Sequence, residues 1–221
     1  GTIIDVGGNL GYTAIAYSLA IQNPHVNIIS FEPYPMNFNF FKLNTGDFNI
    51  DLHQVGLGKS NVTLDMGFPD YTKEIKCNDD RSNTGRVSFV GINDSIKKGE
   101  TYRVQVVHGD NYLKKINGRL KPIFIKIDVE GFEHEVLLGL SNTIKKFKPL
   151  IQMEANPTTM KSGNLHLSQL KKFAKYSQYS MYVLSKKKLS FLSDRDRLPK
   201  CICEILFISN KIFPEKKDIF F

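Results

Sequence analysis

Residues Ile4 to Gly11 read Ile-Asp-Val-Gly-Gly-Asn-Leu-Gly, and Phe31-Glu32-Pro33 follows one helix later. Glycines at this spacing let a backbone close on a ligand. An acid at the end of the next strand can accept hydrogen bonds from a ribose diol. The pair points to a nucleotide-type pocket and restricts its occupant. Gly7, Gly8 and Gly11 do not make G-x-G-x-x-G, because the middle glycine is misplaced, and the chain has no G-x-x-x-x-G-K-[ST] run. Asp5 sits inside the turn sequence, where it would repel a pyrophosphate. A ribose-bearing ligand with cationic groups and no phosphate tolerates it.

These residues need a strand, a turn, a helix and a second strand to position them. Residues 2–6 form a short apolar strand. Residues 12–22 are helical, with Ile15 and Leu19 spaced to face a sheet, and Asn23-Pro24 ends the helix. A strand at 26–31, a helix at 33–43 carrying Phe38 and Phe41, and a strand at 52–57 ended by Gly56 and Gly58 complete a βαβαβ rhythm. That rhythm implies a parallel, doubly wound half-sheet. It breaks between Lys59 and Val107. Alternating stretches at 62–64, 86–90 and 102–107 flank a polar loop at 70–85, which reads as a β-hairpin-like insertion with a mobile segment near its middle. Asp110 is predicted to cap a helix at 111–116. A strand at 123–128, a helix at 131–140, a strand at 150–154 and a helix at 167–176 follow. Strands at 181–184 and 202–208 close the chain, consistent with an antiparallel last strand.

The 221 residues suit one domain spanning 1–221, with the insertion at 59–107. The net charge of +8 favours an anionic partner or surface. The lysines fall in separate groups, however: Lys145, Lys146 and Lys148; Lys171, Lys172 and Lys175; and Lys186 to Lys188. They read as solvated faces and a turn. Cys77, Cys201 and Cys203 are an odd set without framework spacing, which argues for a reducing, cytoplasmic compartment. Cys201-x-Cys203 lies in an apolar strand, so both side chains are predicted to share one face, without the partner ligands of a zinc site. No apolar run is long enough to span a membrane, and no signal peptide is present. The chain enters its first strand at Gly1 and reads as a piece of a longer polypeptide, with a domain or helices expected upstream.

The pattern Asp-x-Gly-x-x-x-Gly with a downstream Glu resembles motifs I and II of class I methyltransferases that use S-adenosylmethionine (SAM), a ligand with a sulfonium, an ammonium and a ribose. A second block is more specific. Residues 125–139 read Ile-Lys-Ile-Asp-Val-Glu-Gly-Phe-Glu-His-Glu-Val-Leu-Leu-Gly, which is similar to the I-K-x-D-x-E-G-x-E-x-x-V-L-x-G signature of the FkbM methyltransferase family. Phe31-Glu32-Pro33 with Pro35 and Phe38, and Pro149 to Glu154, resemble two further motifs of that family in order. Gly8 departs from its usual alanine, a change expected to be harmless. The resemblance implies an α/β, Rossmann-like class I methyltransferase fold with a mostly parallel doubly wound sheet, an antiparallel last strand and a β-rich insertion. It implies methyl transfer from SAM to a hydroxyl, commonly on a sugar or a polyketide-like small molecule, and a sugar unit of a glycan or glycoconjugate, such as a deoxyhexose, is the expected acceptor. Asp5 and Gly7 would lie under the methionine end, Asn9 and Gly11 would shape the turn, Glu32 would bind the ribose, and Gly56 and Leu57 would flank the adenine.

An alcohol attacks poorly until its proton is being removed, so a general base, or a metal that lowers the hydroxyl pKa, should lie near the sulfonium. Such groups collect at the carboxyl ends of parallel strands. Asp128 and Glu154 end two of them. Asp128, Glu130 and Glu154 are the catalytic candidates, with His134 and His108 as further ones. Asp128, Glu154 and Asn156 could hold Mg²⁺ in a metal-dependent version. Lys126 alternates onto the Asp128 face and can pair with Asp128 or Glu130.

Two other functions compete. RNA methylation would suit the basic balance. Yet the strand ending at Glu154 lacks the lysine of a Lys-Asp-Lys-Glu tetrad, residues 128–131 are Asp-Val-Glu-Gly in place of a base-methylation motif, and no basic stripe is interleaved with aromatics. Nucleic acid is therefore not the expected partner. A silent SAM-fold binding module would not need Asp128, Glu130 and Glu154.

Overall fold

The computed structural model describes residues 1–21, 23–67, 87–89, 101–116 and 120–220. Its elements begin β1 (Thr2–Val6), α1 (Tyr12–Ala20), β2 (Asn27–Phe31), α2 (Pro35–Asn44) and β3 (Ile50–His53). Then come β4 (Gly56–Gly58), β5 (Val62–Gly67), β6 (Thr101–His108), α3 (Gly109–Ile116), β7 (Pro122–Ile127), α4 (Glu133–Gly139) and α5 (Ser141–Phe147). The chain finishes with β8 (Leu150–Ala155), α6 (Pro157–Ser162), α7 (Leu167–Ser177), β9 (Tyr179–Leu184), β10 (Lys188–Phe191), β11 (Cys203–Ser209) and β12 (Ile219–Phe220).

The main sheet has the order β12-β10-β9-β11-β8-β7-β1-β2-β3. Strands β8, β7, β1, β2 and β3 pair in parallel, and β11 is antiparallel to both of its neighbours. This is the expected doubly wound α/β sheet with a reversed closing strand. Two more strands, β10 and β12, extend its edge. β9 and β10 form a hairpin with Ser185 to Lys187 in its turn, which leaves Lys186 and Lys187 in the connection, as the sequence suggested.

The layers follow from strand alternation. Ile4, Val6, Ile125, Ile127, Ile151 and Met153 point into a large core shared with α3, α4, α5 and α7. Ile3, Ile28 and Phe124 point the other way, toward α1 and α2. Here the reading of α1 needs correction: Ala14 is its fully buried residue and Leu19 is 59% exposed. The expected 52–57 strand is really two. β3 ends at His53 in the main sheet, and Gly56 and Gly58 lie within β4, which pairs with β6 in a separate sheet of order β4-β6-β5. β5 and β6 form the hairpin expected of the insertion, and Ser88 bridges to Gly67. The polar loop at 70–85 lies outside the described residues.

Asp110 does cap a helix, but a different one. Its two carboxylate oxygens accept from the N–H groups of Asn142 and Thr143, at 2.9 and 2.9 Å, in the first turn of α5. The cysteine pair also departs from expectation, since Cys203 opens β11 while Cys201 is exposed before it. No helix among the described residues is long and apolar enough to cross a membrane.

Candidate active site

The end of β1 must turn under the end of β2. The N–H groups of Gly7 and Gly8 both donate to the Phe31 carbonyl, at 3.0 and 3.0 Å. Gly7 (φ +85°) and Asn9 (φ +49°) take left-handed conformations. A Cβ on Gly7 would lie 1.8 Å from the backbone oxygen of Asp128, so only glycine lets the ends of β1 and β7 meet. At Gly8 a Cβ would come within 2.5 Å of the buried Phe41 ring. Phe41 occupies the room an alanine needs, so the departure at Gly8 is harmless only in company with that side chain. Gly11 caps α1 and packs on Phe41 and Thr45, outside the cavity described below.

Asp5 lies beneath the turn and is fully buried. The β1–β7 register sets it beside Lys126. One Asp5 oxygen accepts from the Ser30 hydroxyl at 2.8 Å, and the other is 3.8 Å from Lys126 Nζ, an ion pair too long for a hydrogen bond. Burial pushes the Asp5 carboxyl up, and Lys126 pulls against it. Lys126 Nζ also donates to Asp128 Oδ2 at 3.2 Å, the pairing anticipated for it. Asp5 therefore anchors the floor, outside the lining of the cavity described below.

Glu32 is the joint of the pocket. Its carboxylate accepts from the N–H of Asn9 at 2.8 Å and of Tyr34 at 2.9 Å, tying the turn to the start of α2. Burial pushes its pKa up to about 7 against those two bonds. Each oxygen keeps a second lone pair for a ligand hydroxyl.

Across the pocket, β7 ends and the chain bends through Glu130 (φ +52°) and Gly131 (φ +103°). The Ser88 hydroxyl donates to the Glu130 carbonyl at 2.6 Å, and the Gly131 N–H donates to Glu133 Oε1 at 2.9 Å. The bend places Asp128 and Glu130 beside Glu154 at the end of β8, with carboxylate oxygens of all three within 4.8 Å of one another. Burial, then Asp128, Glu204 and Glu133, raise Glu154 to about 7. Burial raises Glu133 to about 7 as well.

Because the fold favours the neutral form of Glu133, its stabilising contribution is full below the ordinary value of 4.5 and is lost as pH rises toward 7. Glu133→Gln keeps an oxygen for the Gly131 N–H. Relative to the parent it should gain on the order of 2–3 kcal/mol on going from about pH 5 to about pH 8. Thermal melts at both pH values check this, and a difference that does not change with pH would contradict it.

A cavity of about 260 Å³ opens between these walls at the carboxyl edge of the sheet, a position where α/β folds bind ligands. Gly7, Asn9, Glu32, Gly56, Leu57, Asp128, Glu130 and Glu154 all line it. Of the other candidates, Asn156 caps α6 by accepting from the Thr158 N–H at 3.0 Å and does not line the cavity, whereas Glu130 stands beside Asp128 and Glu154. His134 sits half-buried on α4 outside the cavity, with its pKa lowered by burial. His108 lines a separate groove with Asn61, Tyr112 and Lys115. Sequence reasoning missed Met66, Val87, Phe89 and Phe132, the apolar wall, in which the Phe89 and Phe132 rings lie 4.9 Å apart. Phe132 could have been found inside the 125–139 block. The insertion residues carry no local signal.

Comparison with known proteins identifies the family. The family model for the methyltransferase FkbM domain matches residues 5–180. "Methyltransferase 1" of Beauveria bassiana (strain ARSEF 2860) is 30% identical over 147 residues, covering 63% of this chain and 58% of that protein. The crystal structure of the FkbM methyltransferase from Methylobacillus flagellatus KT superposes with a TM-score of 0.55 at 16% identity, over 93% of this chain and 43% of that one. The chain thus spans about half the length of either relative. With the match running from the end of β1 to the start of β9, the chain belongs to the FkbM family of methyltransferases.

Proposed function

We propose that this domain transfers a methyl group from SAM to a hydroxyl of a sugar unit in a glycan or glycoconjugate. The observation that carries the reading is the sign of the cavity. Glu32, Asp128, Glu130 and Glu154 line it, and among the described residues no lysine or arginine does. Such a lining favours a sulfonium donor and a neutral acceptor, and disfavours a phosphate beside the reacting atoms. The acceptor oxygen attacks the methyl carbon, the carbon–sulfur bond breaks, and S-adenosylhomocysteine leaves as a neutral thioether. The hydroxyl proton passes to the carboxylate cluster. Glu154, raised to about 7, is suited to take it near neutral pH. Lys126 holds Asp128 in place.

Glu32 would grip the ribose. Glu32→Ala should weaken SAM binding in calorimetry by roughly tenfold to a hundredfold, because it removes a charge-assisted acceptor and frees two backbone donors. Unchanged affinity would remove the ribose assignment.

The acceptor is tested by incubating the chain with labelled SAM and neutral oligosaccharides, beside RNA, each with and without EDTA. Label in sugar methyl ethers is the expected result. Label in RNA alone would overturn the reading. Three converging carboxylates could also bridge a divalent cation that lowers the hydroxyl pKa. Loss of transfer on chelation, restored by Mg²⁺, would replace the carboxylate base with that version.

A further inference from the structure

Lysines that are scattered in sequence meet at one edge of the sheet. Residues 141–221 hold 16 lysines and arginines against 6 acids, whereas residues 1–140 hold 14 against 16. The positive charge is therefore a property of the last third. α5 runs back from the pocket, so Lys145, Lys146 and Lys148 arrive at the opposite edge, just before β8. α7 brings Lys175 and Tyr176 to the same edge, just before β9. β11 runs antiparallel and ends there too, with Ser209 opposite Tyr179, followed by Lys211 and Ile212.

Contacts confirm the convergence. Lys148 Nζ donates to the Ser177 carbonyl at 2.6 Å, and Lys145 Nζ stands 5.5 Å from the centre of the Tyr176 ring. The Asn210 N–H donates to the Gln178 carbonyl at 3.0 Å. Burial, and then the like charges of Lys145 and Lys211, push the Lys148 ammonium down. Tyr176 is 73% and Ile212 68% exposed beside these cations.

We propose that this edge, opposite the methyl-transfer pocket, docks the domain on an anionic lipid surface. Lysines are compact point charges suited to a diffuse negative surface, while arginine is the residue for paired phosphate contacts, and these three segments supply no arginine. Exposed Tyr176 and Ile212 can enter the headgroup layer while the lysine stems lie along it. Docking in this way leaves the pocket facing solvent. The proposal does not depend on the identity of the acceptor.

The test is flotation of the 221-residue chain with vesicles of phosphatidylcholine, alone or mixed with phosphatidylserine. Binding is expected only with phosphatidylserine and should weaken as salt is raised. Changing Lys145, Lys175 and Lys211 together to Gln should reduce it roughly a hundredfold. Lys186→Gln with Lys187→Gln, in the β9–β10 turn at the other edge, should leave it unchanged. SAM calorimetry on both variants verifies the fold. Equal loss in the two variants would mean diffuse charge and overturn the proposal. So would absence of vesicle binding, or binding to a short RNA in its place.

Discussion

Gly7→Ala is expected to destabilise the chain by about 3–5 kcal/mol and to abolish SAM binding. Two costs add at this position. The backbone is left-handed at φ +85°, where a Cβ is strained, and that Cβ would stand 1.8 Å from the Asp128 carbonyl oxygen. Neither atom can move cheaply. Gly7 is held by the Phe31 carbonyl, and the Asp128 N–H donates to the Val6 carbonyl at 3.0 Å. Relief must separate β1 from β7 at the point where the donor pocket and the carboxylate cluster meet. In a chain of this size the loss corresponds to a melting temperature lower by roughly 10 °C or more. Gly46→Ala is the control, because its Cβ would meet nothing nearer than 3.8 Å. If the Gly7 variant melts and binds like the parent, the close approach of the two strand ends is not what shapes the site.

Much of this site was legible because it is built from strand ends. Glu32 and Glu154 sit near the carboxyl ends of short apolar runs, Asp128 directly follows one, and local periodicity finds such ends. Lys126 was legible for the same reason, since alternation alone puts it on the Asp128 face. The phase of α1 was not. Its sequence, Tyr-Thr-Ala-Ile-Ala-Tyr-Ser-Leu-Ala, is apolar nearly all round, so Ala14 and Leu19 were equally plausible as the buried face. The strand read at 52–57 was one apolar run, and only pairing divides it between two sheets. Asn156 and Asp110 show a different limit. Each has the right chemistry at a helix start, but which N–H groups a short carboxylate or amide reaches depends on what lies nearby in space. His134 was a reasonable candidate by type, yet the neighbouring Glu133 is the side chain that turns inward. Met66, Val87 and Phe89 were beyond reach, because they join the pocket only when the insertion folds back over it.

The carboxylate cluster is where the chemistry should fail first. Asp128→Asn and Glu154→Gln preserve shape and remove the capacity to take a proton, and a positioned base is worth about 10²–10⁴ in rate. Both residues line the cavity at the end of their strands, away from the Glu32 joint, so the donor should still bind. The two effects therefore separate. The decisive measurement is the single-turnover rate of methyl transfer for the parent, Asp128→Asn and Glu154→Gln, with SAM affinity taken on the same preparations. The account predicts transfer slowed at least about a hundredfold with donor affinity within a few-fold of the parent. Full transfer rates in both variants would contradict it.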